Sequence, residues 1–381
     1  MRIAEVETLL VGSREVGANL IVRITTDSGI VGLGQSGAWG FPDATVPVIA
    51  QFREYLLGQD PFRIEHIGQV LYRMRPFRGS ILSGAISAID IALWDIKGRA
   101  FDVPVWELLG GRVRDRVRLH ALVFGDDPGS IARLAGEANA QGFTAIKLDP
   151  LGPGYADQSI PALVAGAREM ATAARDAVGP DVDLSFELHR KLTPLQAVPV
   201  VEALAEFHPL FVEDPVQIDS VIIQGELARK LAAPLANGER MNTIWEFRDL
   251  LAAGGPQFVR PDLGLAGGIT GCRKIAAMAE AHHSALVSHN YLGPLLTSAS
   301  IHLDVAIPNV VTQEYYLQDE ASDPGNALFR TTLVREGGYM LTPESPGLGV
   351  DVDETVASAS SPGWLPNRAP LRADGSPALA V

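Results

Sequence analysis

Seven side chains that can move protons or hold a metal stand at or near the ends of short apolar runs. Glu187 and His189 close VDLSFELH, Glu213 lies in LFVED, Glu239 ends APLANGE, Asp262 ends QFVRPD, His289 lies in ALVSHN and Glu314 ends NVVTQE. Successive runs lie roughly 25 residues apart, the length of one β/α unit. Three carboxylates on three successive strands, Glu187, Glu213 and Glu239, make a hard oxygen donor set. With positions left open for water and substrate, such a set describes Mg²⁺, whereas zinc would want nitrogen or sulfur. Any one of these glutamates alone would read as a surface carboxylate; the equal spacing of three points to a metal site.

Asp262 and His289 belong to neighbouring runs, so the carboxylate can hold one imidazole nitrogen and leave the other as a general base. Glu187 and His189 are two apart, and in an extended strand both side chains face the same way. His189 is therefore expected beside a metal ligand, placed to protonate a departing hydroxyl. Glu314 is expected across the barrel, where its protonated form would donate to a developing oxyanion. Removing a proton next to a carboxylate creates a dianionic ene-diolate, which needs a divalent cation and hydrogen-bond donors to offset the new charge. This constellation contains both.

The elements that must position these residues follow from periodicity. From about residue 118, eight β-rich runs alternate with Ala-rich helical stretches, beginning with RLHALVF and FTAIKLD and continuing through the six above. That rhythm specifies a parallel sheet with helical crossovers, and eight units mean a TIM-type barrel whose strand ends carry the active site. Ahead of it, IAEVETLLV, ANLIVRITT and IVGLG read as a meander turned by Asp27-Ser28-Gly29. Ile86, Ile89, Leu93 and Ile96 recur at helical spacing, with Ser83 as the expected N-cap and Gly98 as the stop. The expected fold is α/β, a modified eight-stranded barrel over residues 118–340 with an α+β capping domain over 1–117. Residues 341–381 are expected to leave the barrel and pack on the capping domain.

With 381 residues, 47% of them hydrophobic and 20% charged, the chain can bury a large core and is not intrinsically disordered. The 31 Lys and Arg against 45 Asp and Glu leave a net charge of −14, which repels nucleic-acid backbones and anionic membranes. One cysteine, Cys272, forbids an intrachain disulfide and a Cys-built zinc site, and reads as a small buried hydrophobe. The N-terminus lacks a signal-peptide apolar run and no stretch is long enough to span a bilayer, so a soluble cytoplasmic protein is expected.

Taken in order, TDSGIVGLG, AISAIDIALWDIKG, PVWELLGG, AIKLD, ELHRK, FVEDPV, ANGERM, RPDLGLAGGIT, SHNYLGPL and PGLGVDVDE resemble the enolase superfamily, in its mandelate racemase-like branch. Within that branch they resemble sugar-acid dehydratases of the D-galactonate dehydratase type. The resemblance covers nearly the whole chain. It implies Mg²⁺ on Glu187, Glu213 and Glu239, α-proton removal by His289 with Asp262, acid-assisted loss of the β-hydroxyl through His189, and Glu314 as hydrogen-bond donor to the intermediate. A lysine or histidine base working with Mg²⁺ on an ene-diolate is general for that superfamily. The product would be a 2-keto-3-deoxy acid, the partner a small sugar acid, and the assembly a homo-oligomer. The capping domain of such folds covers the barrel mouth, which makes Trp39 and Phe41 candidates to touch substrate.

Three departures accompany the resemblance. Glu187 replaces the Asp of the galactonate type; Arg190 and Lys191 replace its Gly-Arg, with Lys191 on the inward parity; and Lys147-Leu148-Asp149 lacks the second lysine of racemase-type members. Lys147 is then a candidate for the substrate carboxylate, and the sugar's configuration stays open. Two other readings remain: a cycloisomerase or epimerase on the same scaffold, and a non-catalytic barrel that binds metal or a sugar acid.

Overall fold

Alternating apolar residues at the N-terminus pair into a meander. Strand β1 (Ile3–Ser13) runs antiparallel to β2 (Gly17–Thr26), which pairs with β3 (Val31–Ser36) through a turn where Gly29 takes a φ of 82°. The structure, a computed structural model, describes residues 1–13, 17–317, 328–359 and 370–379. Helices α1 (Pro42–Leu56), α2 (Ile64–Arg73) and α3 (Ser80–Phe101) complete the capping layer. Helix α3 lies directly on β3 because the strand carries glycine where the two backbones meet. A Cβ on Gly32 would stand 2.2 Å from the Ala92 carbonyl oxygen, and one on Gly34 would stand 1.8 Å from that of Ala88.

The expected limits of α3 are corrected at both ends. Ser83 is buried within the helix, which starts after Gly79, and Gly98 continues the helix to Phe101, where left-handed Asp102 closes it. Gly98 serves a close approach instead of a stop: a Cβ there would meet Gly347 Cα at 2.6 Å.

After the short α4 (Val105–Leu108), eight parallel strands alternate with seven helices. The strands are β4 (Arg116–Val123), β5 (Ala145–Leu148), β6 (Asp183–Glu187), β7 (Val212–Glu213), β8 (Leu235–Asn237), β9 (Phe258–Val259), β10 (Ala285–Leu286) and β11 (Gln313–Tyr315). Between them lie α5 (Pro128–Ala140), α6 (Ile160–Val178), α7 (Pro194–Ala205), α8 (Val221–Lys230), α9 (Ile244–Ala252), α10 (Gly268–Ala281) and α11 (Pro294–Ala306). The strands pair in chain order; β11 closes on β4 at Glu314↔His120, and a Leu286↔Val310 bridge links β10 to the approach of β11. Polar starts set the helices at the strand ends: Asp127 and Ser130 form a capping box on α5, and Ser159, Ser220 and Thr243 accept from the first turns of α6, α8 and α9.

Helix α10 has no such cap of its own, since Gly267 stands at that position. Helix α3 supplies it from the other layer. Gly267 N donates to Ser87 Oγ (2.9 Å), Thr270 N donates to Asp90 Oδ1 (3.0 Å), and Trp94 Nε1 donates to Thr270 Oγ1 (2.9 Å). The three α3 residues are three and four apart and so share one face. Apolar packing continues across the same seam, where Ile86, Ile89 and Leu93 share one buried cluster with Ile269 of α10 and Leu295 of α11. A second cluster around Leu119, Ile146, Leu184 and Val212 fills the other side of the barrel.

The C-terminal stretch splits between the layers. Strands β12 (Phe329–Thr331) and β15 (Val350–Val352) pair, and β13 (Arg335–Glu336) and β14 (Tyr339–Leu341) form a hairpin added to β4. Leu348 N donates to Asp95 Oδ1 (2.8 Å) and Asp351 accepts from Arg99 (2.9 Å), tying this stretch to α3. Residues 370–379 depart from expectation. Their hydrogen bonds reach the β5–α6 loop of the barrel, where Tyr155 Oη donates to Leu379 O and Ala373 N donates to Asp157. Among the described residues no helix is long and apolar enough to cross a membrane.

Candidate active site

Glu187 ends β6, Glu213 ends β7, and Glu239 follows β8 after Gly238, whose φ of 136° turns the chain into the mouth. All three side chains are buried, and each offers an oxygen within 4.8 Å of the others. Buried carboxylates need positive partners, and the barrel supplies them. Lys147 Nζ lies 3.0 Å from Glu187, 2.6 Å from Glu213 and 3.3 Å from Glu314. Arg260, fully buried, joins Glu213 to Glu314, and Arg190 Nη1 reaches Asp214 (2.6 Å) and Glu239 (2.7 Å).

Burial drives the Glu213 carboxyl well above the usual range, with Glu187 and Glu239 adding to it against Arg260 and Lys147. Burial opposes ionisation of Glu187 too, but Lys147 and His189 outweigh it and hold that carboxyl well below its ordinary value; His289 and Arg190 do the same for Glu239. Three convergent carboxylate oxygens with no nitrogen or sulfur among them fit Mg²⁺.

His289 and Asp262 meet as the sequence suggests. A parallel bridge joins them just beyond β9 and β10, and Nδ1 lies 2.7 Å from Asp262 Oδ2. The Asp262 carboxylate accepts, so Nδ1 carries a proton, and Nε2 is the nitrogen that faces the triad, 3.2 Å from Glu239. Asp262 Oδ1 accepts from Gly264 N (2.6 Å). The capping loop locks this turn: Gly37 N donates to Gly264 O (2.8 Å), and a Cβ on Gly37 would stand 2.8 Å from Asp262 Oδ1.

At His189 strand parity fails. Strand β6 has ended, and His189 and Arg190 take φ values of 48° and 61° in the left-handed region. This turn buries Arg190 against Glu239 and Asp214, the inward place that parity assigned to Lys191. It also carries the His189 ring to Asp149, with Nδ1 2.7 Å from Oδ2, while His189 N donates to Glu187 Oε1 (2.9 Å). Lys191 donates to the same Asp149 oxygen and stands over the Tyr155 ring, 5.0 Å from its centroid.

The remaining candidates stand in the following surroundings. Lys147, 4% exposed, has its ammonium among three carboxylates, two of them members of the triad. Glu314 accepts from Arg260 and faces Lys147, a setting for an acceptor instead of a donor. Trp39 reaches the mouth, where the Arg240 guanidinium lies 5.0 Å from its ring and 3.1 Å from Glu239. Phe41 is 57% exposed ahead of α1, and no described ring contact joins it to the cluster. Sequence reasoning missed Arg260, although its place two before Asp262 was a signal, and Asp149, noted only as a missing lysine. Cys272 is buried, as expected.

Comparison with known proteins agrees with this architecture. Residues 130–356 match the family described as enolase C-terminal domain-like, and residues 5–110 match the mandelate racemase/muconate lactonizing enzyme N-terminal domain. The chain is 38% identical to a D-galactonate dehydratase of Ralstonia nicotianae, over 94% of this chain and 95% of that protein. It is 38% identical to a D-galactonate dehydratase of Klebsiella pneumoniae, over 91% and 92%. Among solved structures, an enolase from Agrobacterium radiobacter bound to sodium and L-malate superposes with a TM-score of 0.94 at 31% identity, covering 100% of both chains. A mandelate racemase/muconate lactonizing enzyme from Jannaschia superposes at 0.88 with 31% identity, over 97% and 99%.

Proposed function

Because the chain belongs to the mandelate racemase/muconate lactonizing enzyme family of the enolase superfamily, we propose that it is a hydro-lyase that dehydrates a sugar acid to a 2-keto-3-deoxy acid. The observation that carries this reading is the placement of two histidines around one carboxylate cluster. His189 follows β6 and His289 follows β10, four strands apart on an eight-strand ring, and each touches a different glutamate of the triad. A base and an acid thus stand on opposite sides of the place where a carboxylate substrate would lie.

Glu187, Glu213 and Glu239 would hold Mg²⁺, which supplies positive charge against the charge that develops on the substrate carboxylate. His289 Nε2 takes the α-proton while Asp262 holds the protonated Nδ1 in place. The C–O bond at the β-carbon then breaks, and its electron pair leaves with the oxygen, which takes a proton from His189 and departs as water. The resulting enol takes a proton at the former β-carbon, loses its hydroxyl proton to solvent and becomes the 2-keto acid. Lys147 and Arg260 offset the buried carboxylates, so an anionic substrate is not repelled from the mouth. Likeness to D-galactonate dehydratases points to an aldonate, and Trp39 is the capping residue placed to meet it. The negative surface and single buried cysteine suit work in the cytoplasm on a small molecule.

The test is a panel of aldonic and aldaric acids incubated with the Mg²⁺-loaded protein, read by semicarbazide absorbance for 2-keto acids. Formation of a 2-keto acid from one or a few members is expected. Deuterium entering the α-position from D₂O with no 2-keto acid formed would replace this reading with epimerisation, which the same pair of facing histidines favours.

A further inference from the structure

Asp149 has no part in the mechanism above, yet every oxygen it carries is committed at the mouth. Its Oδ1 accepts from Leu151 N (2.9 Å), and its Oδ2 accepts from His189 Nδ1 (2.7 Å) and from Lys191 Nζ. Lys191 is itself pinned between Leu151 O (3.4 Å) and the Tyr155 ring. The carboxylate is thus held from both sides before it meets the imidazole.

His189 could not be aimed by its own backbone alone. It sits with Arg190 in a left-handed turn, a conformation that persists in non-glycine residues only where surrounding contacts over-determine it. The contacts that do so are Glu187 on its N–H and Asp149 on its ring.

Resting on the reading of His189 as the acid, we propose that Asp149 is its positioning residue, forming a second His–Asp dyad across the mouth from His289–Asp262. The carboxylate accepts from Nδ1–H and holds the ring, so that in the doubly protonated imidazole Nε2–H is the donor that faces the leaving hydroxyl. The role of Lys191 is then to hold Asp149, not to bind substrate. The two dyads divide the work: one governs the α-carbon, the other the β-oxygen.

The test uses the full-length Mg²⁺-loaded protein and its Asp149→Asn and Asp149→Glu variants, with the panel acid that gives most 2-keto acid. In Asp149→Asn, kcat for 2-keto acid is expected to fall about tenfold or more with KM little changed, while α-deuterium exchange in D₂O continues near the wild-type rate. Asp149→Glu should recover part of kcat. Equal loss of exchange and elimination, or an unchanged kcat, would overturn the proposal. A second readout needs no substrate. In protein labelled with ¹⁵N-histidine, a downfield Nδ1–H resonance absent from His189→Gln should also be absent from Asp149→Asn. If no panel acid reacts, the functional reading fails and this resonance still decides the dyad: its persistence in Asp149→Asn overturns it, and its loss supports it.

Discussion

Replacing His289 by Asn removes the proton acceptor but keeps a short polar side chain beside Asp262. Turnover is expected to fall by on the order of 10²–10⁴-fold, with thermal stability and Mg²⁺ affinity by calorimetry close to wild type; an active variant would remove His289 from the mechanism. Glu213→Gln removes one carboxylate ligand from the triad and should weaken Mg²⁺ binding about tenfold or more in the same titration. Unchanged affinity would mean the metal lies elsewhere. The triad and the Asp262–His289 pair were legible because each residue interrupts an apolar β-run at unit spacing, and spacing survives folding. Asp149–His189 was not, because the left-handed pair at His189 and Arg190 breaks the period-two rule on which the inward assignment of Lys191 depended. The pairing of Arg260 with Glu213 and Glu314 spans 47 and 54 residues and has no local signature.

At the scale of elements, the strand–helix rhythm revealed all eight barrel strands, since alternation and apolar periodicity are properties of the chain itself. The ends of α3 were not legible, because Gly98 answers to Gly347, distant in sequence, and Ser83 is buried inside a helix that starts a turn earlier. The β3–α3 contact is accordingly sensitive to a single methyl group. Gly34→Ala places a Cβ on the Ala88 carbonyl and should cost about 1–3 kcal/mol, read as a lowered midpoint in urea. Asp90 gives α3 a pH signature. Burial raises its carboxyl from 3.8 to about 7, with hydrogen bonds from Thr270 opposing and Glu65 adding a smaller push upward. The folded state therefore holds this proton more tightly than the unfolded chain, so stability drops as pH rises from about 4 through 7. Asp90→Asn keeps an acceptor for Thr270 N and escapes that loss. Its advantage over wild type should widen by about 2–3 kcal/mol between pH 5 and pH 8, and parallel stability profiles for the two proteins would refute the assignment.

At the scale of the whole molecule, the net charge of −14 sets a field against anions, which the buried cations Lys147, Arg190 and Arg260 oppose locally at the mouth. The final stretch shows where sequence reading ran short. PGLGVDVDE carries Leu348 and Asp351 to α3, but residues 370–379 return to the barrel loop at Tyr155 and Asp157, a destination that a Ser- and Pro-rich composition does not encode.

The cap that α3 provides to α10 makes the two layers a single thermodynamic unit. The Gly267 and Thr270 N–H groups lose these acceptors if the layers part, and apolar residues of both helices share one cluster, so calorimetry should record one cooperative transition instead of a capping-domain melt followed by a barrel melt. The capping domain is consequently a poor module for transplantation. A chimera that borrows a relative's cap to change substrate preference will need that relative's α10 entry turn as well, because the donor's counterparts of Ser87 and Asp90 must find the N–H groups they were built to meet.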